Sequence, residues 1–78
     1  PNPFNPTTTI RYDLPSAGLV SLEVFDILGR EVRTLVNEKL QAGSYERTFD
    51  ASGLASGVYF YRLNAGPFLQ TRKFILAK

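Results

Sequence analysis

Apolar and polar side chains alternate along most of this chain, as they do in strands that bury one face. In residues 10–14 and 20–24, every second side chain is apolar and those between are mostly polar. This pattern predicts half-buried strands over residues 7–14 and 19–26. The predicted inward positions are Ile10, Tyr12, Leu14, Val20, Leu22 and Val24.

Residues 58–63 form a dense apolar run that follows a small-residue turn at residues 56–57. The odd-numbered positions of this run are all apolar. The opposite face carries Phe60 and also Arg62, so it is neither fully dry nor fully exposed. A strand with apolar side chains on both faces is typical of the centre of a sheet, so these residues predict a central strand.

The segment 26–30 predicts a tight hairpin in which Gly29 supplies a positive φ, followed by a strand over residues 31–36. The apolar residues Val32, Leu35 and Val36 do not alternate. The run is too short for a stable helix, so we expect a bulge or a twist in this strand.

Two further strands are predicted over residues 44–50 and 68–76. In the last strand, Phe74 and Leu76 are the expected inward residues, with Leu69, Thr71 and Ile75 as competing choices. Residues 50–57 are rich in turn formers and contain one large apolar residue, Leu54. We expect this connection to cross from one sheet to another.

Six or seven short strands with no helical period predict an all-β fold, an antiparallel β-sandwich. We expect it to occupy residues 7–78. The three prolines in residues 1–6 predict an extended linker that docks onto the domain edge, with Phe4 as a plug under the domain or as an exposed recognition aromatic. The predicted shared core is Ile10, Tyr12, Leu22, Val24, Tyr59, Tyr61, Leu63 and Phe74.

The composition argues against catalysis. The 78 residues include no cysteine and no histidine, which removes the usual nucleophile–base pairs and ordinary zinc sites. The acidic residues are isolated, so we predict no enzyme activity, no metal site and no cofactor. The net charge of +2 comes without a basic cluster, which argues against nucleic-acid binding, and no apolar stretch is long enough to span a membrane. The lack of cysteine does not exclude secretion.

Aromatic side chains leave one binding function open. Phe60, Phe68 and Tyr45 could form a stacking platform for carbohydrate on one sheet, although core packing is the default for aromatics in strands. The chain would then be a carbohydrate-binding accessory module.

Five segments, taken in order, carry a resemblance to a known family. They are residues 3–10 (PFNPTTTI), 24–32 (VFDILGREV), 42–45 (AGSY), 54–61 (LASGVYFY) and 71–78 (TRKFILAK). Together they resemble the C-terminal sorting domains (type A) of proteins exported by the type IX secretion system. The resemblance covers essentially the whole chain.

This resemblance implies an Ig-like sandwich that is fused behind a secreted upstream passenger, with the proline-rich residues 1–6 as the linker between them, and that is recognised by the outer-membrane secretion translocon. It also implies a sortase-like peptidase that removes the domain and links the passenger to surface lipopolysaccharide, so the passenger is secreted or reaches the cell surface. The last strand matches the family's terminal signal segment. The residues expected to be recognised are Gly57, Val58, Tyr59, Arg72, Lys73, Phe74, Ile75, Leu76 and Lys78.

The sequence is also similar to the Ig-like domains of flagellar hook-capping proteins, which share the Asn-Pro-Phe-Asn-Pro and Gly-Val-Tyr motifs. Such a domain would be a structural or assembly module. The sequence alone separates the two families poorly.

Overall fold

The computed structural model describes residues 7–77, so the predictions for residues 1–6, including Phe4, and for Lys78 lie outside the described residues. Six antiparallel strands and no helix make up this part of the chain, and they form two sheets as a small Ig-like β-sandwich. The strands are β1 (Thr7–Leu14), β2 (Gly18–Asp26), β3 (Glu31–Leu40), β4 (Gly43–Asp50), β5 (Gly57–Ala65) and β6 (Phe68–Leu76).

The two sheets differ in size. One contains β1 and β4, and the other has four strands in the order β3-β2-β5-β6. The prediction that residues 58–63 form a central strand is confirmed, because β5 lies between β2 and β6. The connection between β4 and β5 crosses from one sheet to the other, as predicted, and Leu54 within it is buried.

The hairpin between β2 and β3 depends on one carboxylate and one glycine. The Asp26 carboxylate accepts hydrogen bonds from the backbone N–H groups of Leu28 and Arg30, at 2.9 and 3.0 Å. Gly29 has a φ of +82°, which confirms the predicted positive value and which side chains with a Cβ rarely adopt.

Strand β3 contains the predicted irregularity and is longer than predicted. Its pairing with β2 skips Val32 and Leu35, so two bulges explain why its apolar residues do not alternate. The prediction that the strand ends at Val36 was wrong. Residues 37–40 continue the strand because each pairs with a residue of β2, from Ser21 back to Gly18.

The core lies between the facing sheets and contains the predicted residues. Six of the eight are buried, while Tyr61 and Phe74 are partly buried and pack against them. The choice of inward residues in β6 is confirmed, since Leu76 is 5% exposed whereas Leu69 and Ile75 are 61% and 69% exposed. The core also includes Ala51, which is fully buried and which alternation could not identify because it follows the end of β4.

Candidate functional site

Strands β5 and β6 bring the two halves of the predicted recognition segment together. The register pairs Gly57 with Leu76, Val58 with Ile75, and Tyr59 with Phe74. The Gly-Val-Tyr motif and the terminal segment are separate in the sequence, but in the sheet their residues are direct neighbours on β5 and β6. We call this pair of segments the β5–β6 patch.

This patch lies at an edge. Strand β6 pairs with β5 on one side and has no strand of residues 7–77 on the other. The backbone N–H and C=O groups on that outer side are therefore not used in the sheet. Such an edge can accept an added strand from another protein.

The inward side chains of the patch are part of the core. The ring of Tyr59 stacks on that of Phe74, with centroids 5.8 Å apart and planes 27° apart. Phe49 of the opposite sheet meets Phe74 edge-on, with centroids 6.3 Å apart. Since Leu76 is also buried, these inward positions hold the two sheets together and are closed to a partner.

Two residues of the Gly-Val-Tyr motif have clear structural roles. The Tyr59 hydroxyl donates a hydrogen bond of 2.5 Å to the backbone carbonyl of Ala55, four residues earlier. This contact ties the start of β5 to the connection that precedes it, as a tyrosine corner does in sandwich domains. Gly57 has a φ of +155°, and no atom lies within 4 Å of the position that a Cβ would take, so its backbone conformation is what requires glycine.

The outward side chains of the patch are the ones a partner could contact. Val58 is half-buried, whereas Lys73 and Ile75 are exposed. Arg72 is also exposed, although it pairs with Tyr61 on the inward side of the ladder. Among the predicted site residues that it describes, the structure thus leaves accessible Gly57, Val58, Arg72, Lys73 and Ile75.

The accessible part of the patch is basic. Between residues 7 and 77, the ion pairs join Arg11 to Glu46, Arg30 to Asp26, and Arg62 to Glu23. No carboxylate in that range lies within ion-pair distance of Arg72 or Lys73. Neither charge is therefore neutralised by a carboxylate of that range, and the Arg72 guanidinium donates hydrogen bonds of 3.0 and 2.9 Å to the side-chain amide oxygen of Gln70.

The structure does not bring together the three aromatics of the carbohydrate hypothesis. Tyr45 belongs to the two-stranded sheet and stacks on Tyr12 at 5.6 Å. Phe60 faces outward from the four-stranded sheet, while Phe68 packs against the core from the other side of that sheet. A single flat sugar platform cannot form from these residues.

Phe25 is an outward aromatic that the sequence argument did not single out. It pairs directly with Phe60 across β2 and β5, and the Arg62 guanidinium lies 4.6 Å from the centre of its ring. The sequence did contain a signal for its position, because alternation in β2 places Phe25 on the face opposite to Val24.

The metal-ligating side chains of the described residues do not cluster. Over residues 7–77, no group of three histidine, cysteine or acidic side chains could hold a metal ion. A groove of about 440 Å³ next to β1 and β6 has Asp13 as the single carboxylate among its lining residues. Within the same range, no helix is long and apolar enough to cross a membrane.

Comparison with protein families identifies the chain's relatives. A family described as secretion system C-terminal sorting domain matches residues 1–77. The chain belongs to this family. No curated protein and no solved structure matched it.

Membership makes the chain a sorting domain of type IX secretion, a family that is non-catalytic in general. Such a domain implies an upstream passenger and the type IX machinery as partners, and export to the cell surface or exterior.

Proposed function

We propose that this domain directs its attached passenger through the outer-membrane translocon of the type IX system, and that the translocon contacts the β5–β6 patch. The recognition segment consists of Gly57, Val58, Tyr59, Arg72, Lys73, Phe74, Ile75, Leu76 and Lys78. Its exposed side chains make the contact, while Tyr59, Phe74 and Leu76 are part of the core or pack against it and hold the two strands in place. The observation that carries this proposal is the register, which pairs the Gly-Val-Tyr motif residue by residue with the terminal segment.

The edge position of β6 supports a specific mode of binding. An extended segment of the translocon adds to the free side of β6 through backbone hydrogen bonds, and side chains supply the selectivity. Lys73 lies on the exposed face of that strand with no carboxylate partner within residues 7–77. An acidic group on the translocon would therefore be attracted to the positive charge of Lys73.

The proposal includes a later step at the other end of the chain. A sortase-like peptidase removes the domain at the proline-rich junction formed by residues 1–6, after the passenger has crossed the membrane. Support for this step comes from the family resemblance and from the composition of the junction.

Deleting residues 72–78 would be a poor test, because the deletion also removes Phe74 and Leu76 from the core. A point substitution on the exposed face separates recognition from folding. Ile75 and Leu69 offer a matched pair, since both are exposed aliphatic residues on the same face of β6. Ile75 pairs with Val58 inside the patch, whereas Leu69 pairs with Asn64 at the far end of the strand.

The test uses a reporter passenger, with its own signal peptide, fused to residues 1–78 in a bacterium with a working type IX system. We expect Ile75→Asp to leave the passenger in the periplasm, whereas Leu69→Asp exports like the unaltered domain. Cell fractionation and protease accessibility locate the passenger, and circular dichroism of the purified variants checks that both fold. If folded Ile75→Asp exports normally, the translocon does not recognise this patch.

A further inference from the structure

The outer face of the four-stranded sheet carries an ordered row of side chains that crosses all four strands. It consists of Glu31 on β3, Phe25 on β2, Phe60 on β5 and Lys73 on β6, each paired with the next. Two aromatic rings are thus flanked by a negative charge on one side and a positive charge on the other. Both charged residues are exposed, and both rings are partly exposed.

The neighbouring row has the same polarity. It contains Thr34, Glu23, Arg62 and Thr71 in the same strand order. Arg62 Nη2 lies 3.4 Å from Glu23 Oε1. The acidic member is again on the β3 side and the basic member on the β6 side.

Apolar side chains extend the face beyond the aromatic row. Val58 and Ile75 form the next pair on β5 and β6. Beyond the end of β2, the hairpin exposes Ile27 and Leu28 by 68% and 74%. Both the β6 side and the hairpin side of the face therefore end in exposed aliphatic residues.

A two-fold axis parallel to the strands would reverse each row when two such faces meet. Lys73 of one copy then lies over Glu31 of the second, and the reciprocal contact forms at the same time. Phe60 lies over Phe25 of the second copy. A two-fold axis along the rows would instead place like charges over each other.

The remaining contacts under the same axis also match. Arg62 lies over Glu23 of the second copy, and Ile75 lies towards the hairpin residue Ile27 of that copy. We propose that this outer face is a self-association surface whose occupant is a second copy of the same domain, related by the two-fold axis parallel to the strands. This inference concerns a different interaction from passenger export and does not depend on it.

The area of the outer face determines how strongly two copies are expected to associate. Four strands about 4.8 Å apart and three to four rows about 7 Å apart cover roughly 400–500 Å² on each copy. Stable complexes bury about 800 Å² on each partner, so this association is weak. We expect a dissociation constant on the order of 100 µM.

Charge reversal tests the pairing directly. Lys73→Glu places two negative charges opposite each other at both ends of the row, and Glu31→Lys places two positive charges there. Each variant alone should dimerise at least about tenfold more weakly, because two attractive pairs become repulsive. Mixed together, the two variants should associate as well as the unaltered domain, because every carboxylate at the ends of the row then faces an ammonium group of the other variant.

The measurement is sedimentation equilibrium of residues 1–78 at concentrations up to about 1 mM. Arg47→Glu is the matched control, because Arg47 is exposed on the two-stranded sheet, away from this face, and its reversal should leave the dimerisation unchanged. A chain that stays monomeric throughout this range would overturn the proposal. So would a mixture of the two variants that associates no better than either alone.

Discussion

The contact between the Tyr59 hydroxyl and the Ala55 carbonyl leads to a sharp prediction about stability. Tyr59→Phe removes the oxygen that donates this 2.5 Å hydrogen bond. The ring can stay where it is, 6% exposed and stacked on Phe74. The substitution therefore deletes one hydrogen bond and preserves the packing.

The expected cost follows from the surroundings of the two partners. A hydrogen bond within a protein contributes about 0.5–1.5 kcal/mol net. Ala55 is an exposed residue, so we expect water to reach its carbonyl after the hydroxyl is lost. We therefore expect a loss of about 1 kcal/mol in the free energy of unfolding, which lowers Tm by about 4–8 °C in a domain of this size.

Tyr61→Phe is the matched control on the same strand. Tyr61 is half-buried beside Phe74, and its hydroxyl makes no hydrogen bond to a residue between 7 and 77. In urea and thermal unfolding followed by circular dichroism, the free energy of unfolding of Tyr61→Phe should lie within about 0.5 kcal/mol of that of the unaltered domain. If Tyr59→Phe is equally stable, or if both variants lose the same amount, the hydroxyl does not tie β5 to the preceding connection.

Two further predictions concern the backbone of β5 and the hairpin carboxylates. Gly57→Ala should cost about 1–3 kcal/mol through backbone strain alone, because Gly57 has a φ of +155° while no atom crowds the added methyl group. Stability should also fall in acid. The backbone N–H of Arg30 lowers the pKa of Asp26 below its ordinary value of 3.8, and the Thr34 hydroxyl lowers the pKa of Glu31 below 4.5. Groups with lowered pKa values stabilise the fold fully above those ordinary values, and that stabilisation is lost as pH falls through the lower folded values.

Each of these predictions has its own control. Gly18→Ala adds a methyl group in equally open space without the positive φ, so it should be much closer to neutral in the same urea titration. For the acid effect, the urea midpoint is measured across the acidic range for the unaltered domain and for Asp26→Asn. The variant should show a weaker dependence on pH, and two parallel curves would refute the assigned role of Asp26.

Alternation was sufficient to predict most strands and their inward faces, because a strand that buries one face repeats every two residues. It placed Leu22, Tyr59 and Leu76 in the core correctly. It was not sufficient for β3. There, the two bulges shift the pattern, and residues 37–40, of which the first three are polar, are held in the strand by pairing with β2, which local sequence does not reveal.

The sequence indicated the two motifs of the proposed recognition patch but not how they are arranged. The two motifs were recognisable in sequence, whereas their residue-by-residue contact depends on the register between β5 and β6. The same limit applies to the outer face. Phe25 and Phe60 are far apart in the sequence, and only the pairing of β2 with β5 shows that their rings are neighbours.

The alternation of strand β6 divides the side chains of the terminal segment between the core and the exposed face. Phe74 and Leu76 pack against the core, so a substitution at either position weakens the fold, and a loss of export there would not distinguish recognition from unfolding. Lys73 and Ile75 face outward and are exposed, so substitutions there leave the core intact. Since the same two side chains lie in the proposed self-association surface, a second copy and the translocon would compete for them. An association near 100 µM leaves the domain monomeric at lower concentrations, so a translocon that binds more tightly than that would find these side chains free.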